Sequence, residues 1–333
     1  LGTGLPARVL LAVAPLALGL AGCSGVQSSL DAHGEGAASI AGLFWLFTGI
    51  CVAVWVLVMI GLAVAMRARA AESAGAERKA RFWVSLLVGV TVAILVFLTG
   101  ASFFTGHGLA QQGRGEELTI KVTGHQWWWQ VEYDDNDASR VLTTANEIHI
   151  PVGRKVKLEL GSTDVIHSFW VPSLAGKMDL VPGRTNVLAL TAERAGVYRG
   201  QCAEFCGMQH AHMAILVIAQ PEDEFARWYD DQLKPAAEPA DPEAQRGRDV
   251  FVAAACILCH QIRGTPSGGR VGPELTHLAS RRTLAAGTLP MSPGDLAGWI
   301  ADPQGIKPGN NMPKVDLSAD DLAALTTYLA GLR

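Results

Sequence analysis

Between Gln201 and Met213 the chain reads QCAEFCGMQHAHM, which places Cys202, Cys206, His210 and Met213 within one short stretch. Thiolate, imidazole and thioether together select soft or borderline metals, copper above all. A structural zinc site has no use for methionine and usually takes its cysteines at tighter spacing. A blue-copper ion would use one cysteine, whereas two thiolates can each bridge two ions. The stretch can therefore hold a pair of coppers sharing both sulfurs. Each copper then needs an imidazole and a weak axial donor: Met213 can serve one, and a carbonyl must serve the other. The second imidazole should come from a neighbouring strand end, and DVIHSFWVP offers His167. His125, His149 and His212 are weaker candidates.

A second constellation, CILCH from Cys256 to His260, has the C-x-x-C-H spacing of c-type haem attachment. Two thiols, Cys256 and Cys259, add to the haem, and His260 is held against the iron. A thioredoxin-like CxxC is the rival reading, but no βαβ pattern surrounds this motif. The sixth ligand should lie far along the chain, where Met291 and Met312 qualify by position. The NMP around Met312, just before a final helix, resembles the distal loop of class I cytochromes c, so Met312 is the choice and Met291 is read as packing. VGPEL, Val271 to Leu275, resembles the turn under the proximal histidine of that family; His277 is then expected at the surface or on the propionate side.

Positioning these groups requires several kinds of element. Residues 40–66 and 82–104 carry no charge, and at ~1.5 Å per residue each can cross a hydrocarbon core of about 30 Å. The loop between them holds Arg67, Arg69, Arg78, Lys79 and Arg81, which places it in the cytoplasm and both termini outside, in a bacterial plasma membrane. Residues 1–22 read as a signal peptide whose LAGC ending resembles a lipobox, with Cys23 the residue acylated. From residue 116 to 220 short β-prone runs alternate apolar and polar residues between Gly, Pro, Asn and Asp, predicting an antiparallel sandwich or barrel. Residues 221–242 give a short helix and a Pro/Ala-rich linker. Residues 243–333 read as an all-α domain, with Asp295 and Ser318 near helix caps. With 27 basic against 31 acidic residues and a net charge of −4, nothing points to a nucleic-acid partner.

The pattern Cys202-x-Glu204-x-Cys206-x3-His210-x2-Met213, with His167 upstream, resembles the dinuclear CuA centre of cytochrome c oxidase subunit II. The order of the chain resembles it too: two spans (residues 38–106), GHQWWWQVEY, GKMDLVPGR, then the copper loop. The resemblance implies a cupredoxin-like copper domain fused here to a cytochrome c domain. It implies copper ligands His167, Cys202, Cys206, His210 and Met213 through their side chains and Glu204 through its carbonyl. The Glu204 carboxylate would reach a magnesium ion at the contact with the catalytic subunit. Trp127 matches the tryptophan at which electrons arrive from cytochrome c, and Asp179 and Arg184 match a DxxPGR segment near that contact. Trp128 and Trp129 are read as packing. Family members often carry a glutamate before the second span that helps admit protons; here Glu77 is displaced by a few residues, and the role is not carried over.

The combined expectation is the electron-input subunit of a respiratory terminal oxidase. Electrons would come from cytochrome c or a quinol-oxidising complex, pass through haem and copper, and reach a haem-copper subunit I that reduces oxygen and moves protons. This chain has no set of membrane histidines for oxygen chemistry, so the catalysis belongs to that partner. Two other readings stand beside it. One is the CuA-bearing subunit of a nitric oxide reductase; the other is a membrane-anchored copper lipoprotein with no oxidase partner.

Overall fold

The computed structural model describes residues 25, 27–67, 74–111, 118–239 and 241–333; Cys23 and the signal-peptide reading lie outside them. The chain divides into two compact units, residues 38–112 and the remainder. In the first, helices α1 (Glu35–Arg67) and α2 (Ala74–Gln111) contain the two apolar runs, each long and apolar enough to cross a membrane. Both helices outlast the uncharged stretches. At the start of α2 the extra turns are polar, and Arg81 pairs with Glu77 at 2.6 Å, one turn apart.

The second unit begins with a β-sandwich. Its strands are β1 (Leu118–His125), β2 (Trp128–Tyr133), β3 (Leu142–Ala145), β4 (Glu147–Pro151), β5 (Val156–Ser162), β6 (His167–Trp170), β7 (Met178–Leu180), β8 (Asn186–Leu190), β9 (Gly196–Cys202) and β10 (Ala214–Gln220). They form two five-stranded sheets, ordered β3-β2-β1-β5-β8 and β4-β10-β9-β6-β7. Alternation explains the layering: along β1 and β5, Ile120, Val122, Val156, Leu158 and Leu160 are buried while the residues between them face outward. Two ladders, β1 with β5 and β4 with β10, run parallel, a feature that alternation does not report.

Helix α3 (Glu222–Leu233) packs Phe225 and Tyr229 onto the sandwich core. Beyond it the Pro/Ala-rich linker is pinned: Ala236 N donates to Arg263 O, and Arg263 Nη1 donates back to Leu233 O. His277 is not at the surface but buried, with Nε2 facing Lys234 O of the linker at 3.1 Å.

The helical lobe comprises α4 (Pro242–Ala253), α5 (Pro293–Ala301), the short α6 (Pro303–Ile306) and α7 (Ala319–Ala330). Asp241, Ser292 and Ser318 cap α4, α5 and α7 through side-chain oxygens that accept from backbone N–H groups in the first turn. Asp295 is not the cap but its partner: its N–H donates to Ser292 Oγ, and its carboxylate accepts from that hydroxyl at 2.5 Å. Helices α4 and α7 cross at Gly247, where any Cβ would lie within van der Waals overlap of Ala324 O.

Candidate metal centres

The antiparallel pair β9–β10 ends and restarts around the loop from Cys202 to Ala214, so the fold fixes both ends of that loop. Its sulfurs converge. Cys202 Sγ and Cys206 Sγ are 3.7 Å apart, with His167 Nδ1 3.9 Å from the former and His210 Nδ1 3.6 Å from the latter. Met213 Sδ lies 3.9 Å from Cys206 Sγ, and the Glu204 carbonyl lies 3.2 Å from Cys202 Sγ. His167 reaches the loop because β6 pairs with β9, in register Phe169 to Cys202. Donor atoms bound ~2.0–2.3 Å from one tetrahedral ion sit about 3.6 Å from each other. The spacing therefore fits metal binding, and two sulfurs at the centre of the set fit a pair of ions bridged by both.

The thiols are electrostatically unequal. The Cys206 thiol beside it pushes Cys202 down, assisted by His167 and by the N–H groups around it, while the same contact and burial push Cys206 up. Burial opposes the charge on His167, but hydrogen bonds with Cys202 and Asp164 outweigh it and raise its pKa. Metal binding must therefore displace protons from this cluster.

Three residues shape the centre that the ligand spacing does not reveal. Asp164 Oδ1 faces His167 Nε2 at 2.8 Å, fixing the ring with Nδ1 toward the sulfurs, while Asp164 Oδ2 accepts from Gln126 N. Gly124 leaves room for that ring, since a Cβ there would stand 2.7 Å from His167 Cδ2. The third, Lys307, belongs to the helical lobe. An outer partner of a metal-bound histidine is worth about 10–100-fold in affinity. Asp164→Ala should therefore weaken copper binding by that factor, as read by chelator competition, without removing the sandwich.

The remaining histidines are engaged elsewhere. His149 Nδ1 meets Gln220 Oε1 and its ring stacks on Trp228, His125 stacks on Trp128, and His212 Nδ1 meets Gln209 Oε1. Trp129 is fully buried in the core. Trp127 is almost fully buried, and its Nε1 donates to Cys206 O at 2.9 Å. The Glu204 carboxylate faces Lys177 Nζ at 3.9 Å.

In the helical lobe Cys256, Cys259, His260 and Met312 line one cavity of ≈ 370 Å³, with Trp299 and Leu325 among its apolar walls. His260 Nδ1 faces Pro273 O at 2.7 Å, which fixes the tautomer and leaves Nε2 for a metal. Gly272 lies flat against the imidazole, where a Cβ would stand 2.7 Å from Cε1. Met291 packs with the hydrophobic core of the lobe. Two thiols and an oriented imidazole, lining a largely apolar cavity together with a thioether, fit a covalently held haem.

The fold and these two donor sets define a class: a membrane-anchored cupredoxin-like copper protein carrying a cytochrome c domain. The family model described as "Cytochrome C oxidase subunit II, periplasmic domain" matches residues 135–220, and "Cytochrome c" matches residues 244–333. "Cytochrome c oxidase subunit 2" of Alkalihalophilus pseudofirmus is 40% identical over 253 residues, covering 75% of this chain and 72% of the relative. That of Bacillus subtilis is 30% identical over 264 residues, with the same two coverages, 75% and 72%. The crystal structure of the periplasmic domain of subunit II of cytochrome oxidase from Bradyrhizobium japonicum is 32% identical and covers 36% of this chain and 96% of that one, with a TM-score of 0.34. The chain belongs to the cytochrome c oxidase subunit 2 family.

Proposed function

We propose that this chain is the electron inlet of a respiratory oxidase. In this reading the helical lobe would take electrons from an external donor through a held haem, and the sandwich would pass them through a held copper pair to a catalytic subunit I that reduces oxygen. Haem and a dinuclear copper centre, once bound, supply one-electron chemistry without a proton; the chain's own residues hold and orient them. Cys256 and Cys259 would anchor the haem, His260 and Met312 would ligate its iron, and His167, Cys202, Cys206, His210, Met213 and the Glu204 carbonyl would hold the copper pair. One observation carries the route between the two centres. Trp127 lines the cavity of Cys256 and His260 and also donates its indole N–H to the carbonyl of Cys206. Trp127 is thus common to both centres, and Gln126 beside it lines the same cavity and donates its Nε2 to the same carbonyl.

Proton movement belongs to the partner subunit, since α1 and α2 carry their charged residues toward their ends. A magnesium role for the Glu204 carboxylate forms no part of this reading, because that group faces a lysine. The test is purification of the complex from its membrane with metal analysis, electron paramagnetic resonance and turnover on oxygen and on nitric oxide. Covalent haem, a copper pair sharing one electron in the oxidised state, and oxygen turnover are expected. Turnover on nitric oxide alone, or a chain isolated with copper but no catalytic partner, would overturn it.

A further inference from the structure

The sandwich and the helical lobe meet in a seam fastened at several points. Lys307 lies in the loop between α6 and Met312, it is buried, and its Nζ donates to three carbonyls: Trp127 O at 2.8 Å, His212 O at 2.7 Å and Ala285 O at 2.9 Å. The first two belong to the copper lobe. Beside it Gln209 Nε2 donates to Pro308 O, and Gly309 lies against the Trp127 ring and Met208. On the other side of the seam Ala214 N donates to Ala286 O, and Arg282 N donates to the buried carboxylate of Glu147.

The loop that carries Lys307 is stiff. Gln304 Nε2 donates to Asn310 O and Met312 O, and Asn310 Nδ2 donates to Pro303 O and Lys307 O. One bracket therefore presents Met312 to the haem cavity at one end and grips Trp127 at the other.

We propose that Lys307 is the positioning residue of the transfer between the two centres, a clasp that seats the haem lobe over Trp127 and closes that surface to outside donors. The inference rests on the functional reading above and deepens it: a soluble donor must deliver its electron to the haem lobe, because the chain itself occupies the face over Trp127. A buried ammonium has three N–H donors, and here each has a carbonyl. Replacing it with an apolar side chain removes that donor from Trp127 O and His212 O, while Ala285 O keeps Thr288 Oγ1, so the two bonds lost are those that cross to the copper lobe, which favours opening the seam to water. Because the fastening groups are buried, salt screens them far less than surface charges. The seam should therefore persist at ionic strengths that separate proteins docked through surface charge.

Hydrogen exchange on the purified metal-loaded complex tests this at the amides of Ala214 and Arg282, which bond across the seam. In Lys307→Met both should exchange at least about tenfold faster, the factor that ~1.4 kcal/mol of lost seam stability gives, while strand amides such as Val122 stay unchanged. With reduced soluble cytochrome c as donor, kcat should fall with KM unchanged, since the donor's docking face on the haem lobe is intact. In the unaltered complex, exchange at both amides should be the same in dilute buffer and in molar KCl. Equal exchange in Lys307→Met and wild type, or seam exchange that rises with salt in the wild type, overturns the clasp. If Lys307→Met does not assemble, the salt series decides alone. Failure of the wild-type haem to pass electrons to copper sinks the functional reading instead, whatever the seam does.

Discussion

Cys206→Ser should fold and yet hold no copper pair. The Cys206 sulfur is the atom that three other donors face: Cys202 at 3.7 Å, His210 at 3.6 Å and Met213 at 3.9 Å. Serine preserves shape in a site that is 2% exposed, so the sandwich has little reason to collapse. It replaces a soft bridging sulfur with a hard, protonated oxygen that copper binds poorly. Loss of an outer partner of a metal ligand already costs about 10–100-fold in affinity, and loss of the bridging ligand itself should exceed that. Metal analysis should find the pair gone, the resonance of a shared electron should vanish, and electron delivery to the catalytic subunit should fall by more than about a hundredfold. A Cys206→Ser chain that kept the pair and its near-infrared absorption would mean the sulfurs do not bridge.

Met312→Leu should have the second largest effect, and of a different kind. Cys256, Cys259 and His260 are untouched, so the haem remains covalent and the lobe keeps its core. The thioether is the part that raises the potential. Its loss should lower the potential by on the order of 0.1 V, within the roughly 0.8 V range that axial ligands command. At about 59 mV per decade for one electron, that is about fiftyfold in the equilibrium with the donor. A redox titration reads the shift directly, and during turnover the haem should sit more oxidised than in the wild type. An unchanged potential would remove Met312 from the axial role.

These chemical groups were legible in the sequence because both donor sets are written as spacing. Cys202, Cys206, His210 and Met213 share one loop, and Cys256, Cys259 and His260 share one turn. His167 was legible as a strand end, at the start of the β-prone run HSFWVP. What could not be read acts through contacts between segments distant along the chain. Gly124 matters only because β1 passes beneath the His167 ring, and nothing in LTIKVTGH announces a missing Cβ. Asp164 carried a faint signal, lying three residues before His167. Lys307 carried none: a lysine beside proline and glycine reads as a solvated turn, and only folding buries it among three carbonyls. The parallel ladders escaped for a similar reason, because alternation reports which face a residue takes and not which strand lies beside it.

The pairing of the second sheet also sets a schedule. β6 brings His167 to the centre only when β9 is laid beside it, and β10, which closes the copper loop, pairs with β4 from more than sixty residues earlier. Such distant pairings form late, after the chain entropy of closing them has been overcome. A ribosome-bound fragment therefore has scattered thiols but no cage, and copper loading must await a finished sandwich. The donors for a haem lie together in the compact CILCH turn and need no such distant pairing.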